Sequence, residues 1–104
     1  SSSFLGAIQK LPIISGPITI SITNPENGSY ITLPLKGEVS FNQSPQGVKI
    51  FFNDVLVQDI SSPHTTEHFI ITKGDLYIQN SLRIEAVNSS GKTVSKEIIL
   101  FGKS

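Results

Sequence analysis

Residues 81–101 read SLRIEAVNSSGKTVSKEIILF, and this stretch decides the fold class. Apolar residues alternate with polar ones on both sides of a polar break at 88–91. The apolar positions are Leu82, Ile84, Ala86, Val94, Ile98 and Leu100. Because successive side chains of a strand point to opposite faces, a period of two interrupted by Asn, Ser and Gly predicts a half-buried antiparallel hairpin.

Similar short apolar runs, separated by turn-forming residues, occur along the rest of the chain. No window shows the 3.6-residue apolar period of a helix. The further apolar runs, which are the candidate strands, cover residues 18–22, 30–33, 35–41, 48–52, 55–57, 69–72 and 76–78. Each strand offers one apolar row, and two such sheets packed face to face can hide these rows from water. The sequence therefore predicts an all-β sandwich of two antiparallel sheets, with seven or eight strands.

Two positions predict local geometry within this sandwich. Asn53-Asp54 separates two apolar runs by the spacing of a two-residue hairpin, with Asp where Gly is usual at the second position. Gly37 falls on an inner row, where a missing side chain lets a neighbour approach closely.

Composition limits the classes of function. A chain of 104 residues is about one domain, and its eight basic and eight acidic residues give no net charge. Nucleic-acid binding needs a basic surface, so we expect no nucleic-acid partner. The chain has no Cys, which excludes disulfides and thiolate chemistry but leaves the cell exterior open.

The first 16 residues differ from the rest of the chain. FLGAIQKLPII, at 4–14, is apolar but is interrupted by Gln9, Lys10 and Pro12, and a membrane-spanning helix needs about 20 apolar residues. We expect residues 1–16 to form a linker or an extra edge strand, residues 17–101 the sandwich, and residues 102–104 a C-terminal tail. The alternative for 1–16 is the outer end of a membrane anchor or of an upstream domain.

Three stretches resemble bacterial immunoglobulin-like domains, which occur in tandem on cell-surface proteins and as appendages of secreted glycosidases and wall enzymes. The first is PITISITNPENGSYITLPLKGEVS at 17–40, with its Ile-rich strand, Pro-x-Asn-Gly turn and inward Gly. The second is the strand-turn-strand segment VKIFFNDVLV at 48–57. The third is the Asn-led strand from Asn80 with the following turn at 88–92.

The resemblance implies an immunoglobulin-like fold and an extracellular or cell-surface setting in a bacterium. The chain departs from the pattern at Ile78, where the family often has Gly, and at Asn53-Asp54, where Asn-Gly is usual. The family shares no active site, so no functional residue is carried over, and we expect no catalytic residue, cofactor or metal.

The cluster His64-Thr65-Thr66-Glu67-His68 is the one metal-like motif. On a strand the two His residues are about 13 Å apart and cannot share an ion, so we expect a polar loop that leads into a strand. Asp54, Asp59, Asp75 and Glu26 lie in turn-like contexts, where carboxylates bond backbone donors. A calcium ion at one pole, held by Glu26, Asp59 or Asp75, is the open alternative.

Aromatic residues are the candidate ligand contacts. The alternation places Tyr30, Phe51, Tyr77 and Phe101 outward, and aromatic rings in such positions can stack on sugars. The possible ligand contacts are therefore Tyr30, Phe51 and Tyr77, and glycans are a possible partner.

The sequence as a whole predicts a non-catalytic extracellular module that acts as a spacer or adhesion domain. Its expected partners are neighbouring domains of the same polypeptide or another surface protein, with tethering to a membrane through a preceding segment. The alternatives are a carbohydrate-binding accessory module of a polysaccharide-acting enzyme, and a subunit that adds a strand at an exposed edge through residues 4–14.

Overall fold

The structure is a computed structural model in which residues 17–103 are described. The predicted boundary of a linker or edge strand at 1–16 lies outside these residues. The described part contains eight strands and no helix. The strands are β1 (Ile20–Asn24), β2 (Tyr30–Ile31), β3 (Leu35–Phe41), β4 (Gly47–Phe52), β5 (Val55–Ser61), β6 (Thr66–Ile71), β7 (Gln79–Val87) and β8 (Thr93–Gly102).

The strands form two sheets packed face to face, which confirms the predicted all-β sandwich. The smaller sheet has the order β1-β3-β6, and the larger has the order β2-β8-β7-β4-β5. The prediction of purely antiparallel sheets is wrong at one edge, because β2 pairs in parallel with β8, Tyr30 opposite Phe101. This happens because the chain crosses from β1 to the other sheet and must run along β8 before it returns as β3.

The inner rows of both sheets form one apolar core, as the alternation predicted. On β7 the buried apolar residues are Leu82, Ile84 and Ala86, all fully enclosed. Each fully buried large apolar side chain contributes roughly 1.5–3 kcal/mol relative to its exposed state. The other core residues are Ile18, Ile20, Ile31, Leu35, Val39, Phe41, Val48, Ile50, Phe52, Phe69, Ile71, Ile98 and Leu100.

Both locally predicted features are present. Asn53 and Asp54 form the two-residue turn between β4 and β5, with φ values of 52° and 68°, in the left-handed region that this hairpin requires. Gly37 lies opposite Phe69 in the inner row. A Cβ atom at Gly37 would overlap the Phe69 ring and would lie 2.7 Å from the carbonyl oxygen of Asn24, so this position can hold no side chain.

Some predicted boundaries are wrong. The predicted strand at 76–78 is irregular chain, because the backbone of Tyr77 bonds the buried side chain of Asn80 rather than a neighbouring strand. The first strand was predicted at 18–22 but is observed at Ile20–Asn24. β6 begins at Thr66, three residues before its predicted start, and β5 continues to Ser61.

The described chain enters and leaves the sandwich at opposite poles. We call the entry pole the end where Ile20 pairs with Phe41 and where Gln46 donates to the Val87 carbonyl. The exit pole is the other end, where Phe101 pairs with Gln79. Because β8 is ten residues long, the two poles are roughly 33 Å apart along this strand.

Candidate functional site

Tyr30 is the most accessible of the predicted ligand-contact residues. It lies on β2 at the edge of the larger sheet, and 72% of its surface is exposed. Its ring packs beside that of Phe101 on β8, with the ring centroids 5.6 Å apart and the planes inclined by 38°. The two rings form an aromatic pair on the outer face, close to the exit pole.

Phe51 faces outward on β4, as predicted, but its ring is covered. The guanidinium carbon of Arg83 lies 4.3 Å from the ring centroid, in a cation–π contact. Arg83 is held there by the carboxylates of Asp54, at 2.9 Å, and Glu85, at 3.1 Å. The hydrogen bond to Asp54 raises the pKa of Arg83 further above its already high value, so the cation over the ring is permanent. One face of the Phe51 ring is therefore occupied by a cation and is closed to stacking.

Tyr77 lies in the irregular segment between β6 and β7, with 55% of its surface exposed. Its hydroxyl donates to Asp75 at 3.4 Å, and its backbone is fixed by Asn80. Tyr30 and Phe51 are three strands apart in the larger sheet, which separates them by roughly 14 Å across the strands alone. The structure thus pairs Tyr30 with Phe101 and does not bring Tyr30 and Phe51 together on one platform.

The His64–His68 segment is a polar loop that runs into β6. The carboxylate of Glu67 accepts a hydrogen bond from the backbone amide of His64 at 2.7 Å and lies 3.1 Å from its Nδ1. The hydrogen bond from the His64 backbone amide is the main reason why the pKa of Glu67 is lowered. His68 lies 3.3 Å from Glu38 on the neighbouring strand β3. Each His is therefore paired with a different carboxylate.

The residues suggested for calcium are also apart from one another. Glu26 is in the turn between β1 and β2, Asp59 is on β5 opposite Lys49 of β4, and Asp75 is in the segment before β7. Within residues 17–103, no three His, Asp or Glu side chains are close enough to hold a metal ion. In the same residues, no helix is long and apolar enough to cross a membrane.

The turn between β1 and β2 is attached to the edge of β8. Gly28 donates to the carbonyl of Ile99 at 2.7 Å, and the amide of Ile99 donates to the side chain of Asn27 at 2.8 Å. This turn is therefore part of the edge of the larger sheet. The turn at 88–92 differs, because it projects at the entry pole, where the side chain of Asn88 organises it by accepting from the amides of Ser90 and Lys92.

One apolar surface was missed by sequence reasoning. Val55, Leu56 and Ile70 are 62%, 47% and 46% exposed, and all three line a hollow of about 300 Å³ between the edge strands β5 and β6. A second hollow, of about 380 Å³, adjoins it through Ile70. The uninterrupted run Val55-Leu56-Val57 could have revealed this surface. Successive side chains of a strand point to opposite faces, so three apolar residues in a row must place at least one of them on the outer face.

No protein-family model and no curated protein match the chain. Solved structures do match. One is that of fibronectin(III)-like modules of Clostridium thermocellum CbhA, with a TM-score of 0.57 and 11% identity over 82% of this chain and 96% of that one. Another is a double mutant of an endo-β-1,4-mannanase from Cellulomonas fimi, with a TM-score of 0.58 and 12% identity over 81% of this chain and 18% of that one.

These similarities agree with the strand order, the two sheets and the shared core described above. The chain therefore has the immunoglobulin-like, fibronectin(III)-like β-sandwich fold of these bacterial modules.

Proposed function

We propose that this chain is a non-catalytic spacer module of a larger secreted or surface-displayed bacterial protein. The observation that carries the proposal is that the first and last described residues, 17–20 and 101–103, lie at opposite poles of the sandwich. A domain entered at one pole and left at the other holds its neighbours at a set distance, whatever those neighbours do. Its partners are then the adjacent domains of the same polypeptide.

The pairing of β8 supports this role. β8 is bonded to β7 over nine residue pairs and to β2 on its other side. Tension applied at the exit pole acts along these strands, so it loads many backbone hydrogen bonds together rather than one at a time. The similarity to the CbhA modules, and to a part of a mannanase, supports an accessory role outside the cell.

The proposal is tested by measuring the distance between the two poles. The chain has no Cys, so spin labels can be placed specifically at Thr19→Cys and Lys103→Cys, both at exposed positions. Pulsed electron resonance should give one narrow distance distribution of roughly 30–40 Å. The matched control pairs Thr19→Cys with Ser89→Cys, both at the entry pole, and should give a shorter distance. A broad distribution, or one no longer than that of the control, would contradict a spacer.

A second candidate function is glycan binding, and the pair formed by the exposed Tyr30 and the half-buried Phe101 favours it. Aromatic rings open to solvent on a rigid sheet can stack on sugar rings. Affinity electrophoresis in gels that contain β-1,4-mannan, cellulose derivatives or wall polysaccharides would show retardation of the chain. Tyr30→Ala should then abolish the retardation and Phe51→Ala should leave it, because Arg83 already covers Phe51. The same mobility in every gel would remove this candidate.

A further inference from the structure

Asn27 differs chemically from the other asparagines of the chain because glycine follows it. An asparagine side chain is lost as ammonia when the backbone nitrogen of the next residue attacks its Cγ atom and closes a five-membered succinimide. Glycine favours this attack because it has no Cβ atom to crowd the nitrogen. The other five asparagines precede Pro25, Gln43, Asp54, Ser81 and Ser89.

Both reacting groups of the Asn27-Gly28 pair are bonded to one residue of β8. The amide of Gly28 donates to the carbonyl of Ile99 at 2.7 Å, and the amide of Ile99 donates to Oδ1 of Asn27 at 2.8 Å. The bond to Oδ1 would stabilise negative charge on that oxygen during an attack. No attack begins, however, until the Gly28 nitrogen has lost its proton, and the Ile99 carbonyl holds that proton in place. The attached turn is therefore protected.

The turn is open to water, and few bonds attach it to the sheet. Asn27 and Gly28 are both exposed. The amide of Ser29 donates to the carbonyl of Glu26 at 3.1 Å, and Gly28 has a φ of 87°. The strand that follows, β2, has only two residues, and both pair with the end of β8. A segment held by so few bonds at the edge of a sheet opens locally, without unfolding of the whole sandwich.

We propose that Asn27 is a site of deamidation, and that the bonds between the turn and Ile99 control the reaction. Opening of this edge frees the Gly28 nitrogen, which loses its proton to solvent base and forms a bond to Cγ of Asn27. The bond between Cγ and Nδ2 breaks, and Nδ2 takes up a proton and leaves as ammonia. Water then opens the succinimide at either of its carbonyls, and position 27 becomes aspartate or isoaspartate.

Isoaspartate at position 27 makes the opening of this edge irreversible. It inserts an additional carbon into the backbone between positions 27 and 28. The acceptor at 27 and the donor at 28 then no longer match the amide and the carbonyl of Ile99. Aspartate at position 27 keeps the ordinary backbone and an oxygen that accepts from Ile99. The turn therefore reattaches to β8 in the aspartate form and stays detached in the isoaspartate form.

Incubation of the full 104-residue chain in mildly alkaline buffer, followed by peptide mapping with mass spectrometry, tests the proposal. Asn88, in the turn at the entry pole, is the reference within each digest. In urea that unfolds the chain, Asn27 should react before Asn88. In the folded chain, the rate at Asn27 should be lower by about tenfold or more. Below the unfolding transition this rate should rise only weakly with urea, because opening of a turn exposes little surface.

Two altered chains separate the protection of Asn27 from its consequence. Removal of residues 101–104 deletes the partners of β2, so it should accelerate the reaction at Asn27 by about threefold or more and leave Asn88 unchanged. Asn27→Asp has the same atoms and charge as the isoaspartate form but an ordinary backbone. Exchange of the Ile99 amide, followed by NMR, should be slow in Asn27→Asp and fast in the purified isoaspartate form.

Three results would overturn the proposal. The first is a reaction at Asn27 that is as fast in the folded chain as in urea, since the bonds to Ile99 would then give no protection. The second is a steep dependence of the folded-state rate on urea, which would show that Asn27 reacts only after global unfolding. The third is a slowly exchanging Ile99 amide in the isoaspartate form, because the turn would then have reattached.

Discussion

At the scale of single residues, Asn80 joins three parts of the chain at the exit pole. It is 1% exposed. Its side-chain oxygen accepts from the amide of Tyr77 at 2.8 Å and from Nδ2 of Asn53 at 3.0 Å, while its own Nδ2 donates to the carbonyl of Tyr77 at 2.9 Å. A buried amide with its partners in place fixes one arrangement of the loop, because any other leaves polar groups without hydrogen bonds.

Asn80→Ala should therefore lower the free energy of unfolding by about 2 kcal/mol, because the part-buried amide and carbonyl of Tyr77 lose their hydrogen-bond partners and a buried side chain is removed. Urea denaturation followed by circular dichroism measures this. The neighbouring exposed residue gives the control, since Gln79→Ala should change the stability by less than about 0.5 kcal/mol. Equal losses in the two variants would show that the network does not stabilise the fold.

Glu67 makes the stability depend on pH in the acid range. The hydrogen bond from the His64 amide lowers the pKa of Glu67 in the folded state below the value of about 4.3 in the unfolded chain. The resulting stabilisation is fully present above about pH 4.3 and is lost as the pH falls through the lower, folded-state pKa.

Glu67→Gln should therefore destabilise the protein at pH 7, and the difference from the unmodified chain should shrink as the pH falls below about 4. Urea midpoints measured from pH 2.5 to pH 7 test this prediction. Gln79→Ala, which removes no titrating group, should give a curve parallel to that of the unmodified chain. A difference for Glu67→Gln that stays constant across this range would exclude the proposed linkage.

At the scale of elements, the β4–β5 hairpin depends on two residues in the left-handed region. Asn53 tolerates this conformation and also bonds the backbone on both sides, accepting from Ser81 at 2.8 Å and donating to the carbonyl of Asp75 at 3.1 Å. Asp54 has φ 68° with fewer compensating contacts, namely an exposed ion pair with Arg83. The second turn position therefore carries backbone strain that glycine would avoid.

Asp54→Gly should raise the free energy of unfolding by about 0.5 kcal/mol, while Asp54→Ala should lower it by about 1 kcal/mol. Both variants lose the ion pair with Arg83, so the difference between them isolates the backbone conformation. Thermal and urea unfolding of the two variants side by side measures this difference. If Asp54→Gly proved no more stable than Asp54→Ala, strain at this position would be ruled out.

At the scale of the whole molecule, the last residues of β8 connect segments that are distant in sequence. Phe101 donates to the carbonyl of Ser29, Gly102 to that of Ile78, and Lys103 to that of Ile31, at 2.8–3.0 Å. Residues 101–103 thus bond β2 and the segment before β7 to the larger sheet. The predicted tail at 102–104 begins with a residue that is still in β8.

Removing residues 101–104 should therefore destabilise the protein by about 3 kcal/mol, since three backbone hydrogen bonds and the packing of Phe101 are lost. Lys103→Ala is the control because it keeps every backbone amide, and it should have little effect. Differential scanning calorimetry compares both with the full chain. A truncated chain as stable as the control would mean that β2 is held by other contacts.

Much of the architecture followed from local pattern. The alternation in β7 and β8 specified the buried rows, Asn53-Asp54 specified a tight turn, and Gly37 specified a position without room for a side chain. These predictions were confirmed because each depends on neighbours in sequence or on the period of a strand. The segment at 76–78 was mispredicted because its apolar residues look like a strand, whereas a buried side chain, that of Asn80, takes up the backbone groups of Tyr77.

The candidate surfaces needed the tertiary structure. The sequence placed Tyr30 and Phe51 on outward rows, but it could not show that Arg83 lies over Phe51 while Tyr30 stays open, since cross-strand neighbours depend on register. Nor could it show that β5 and β6 are both edge strands that face each other across an apolar hollow.

The amino-acid sequence by itself thus determined that this protein is a two-sheet sandwich with particular inward rows and turns, because period and turn chemistry act over a few residues. The tertiary structure alone decided the strand order, the parallel contact of β2 with β8, the opposite poles and the outermost position of β6 among the described strands of the smaller sheet. Those features depend on which distant strands share backbone hydrogen bonds. The alternation of apolar and polar residues cannot select among these pairings, because it is satisfied by every pairing that buries the same row of side chains.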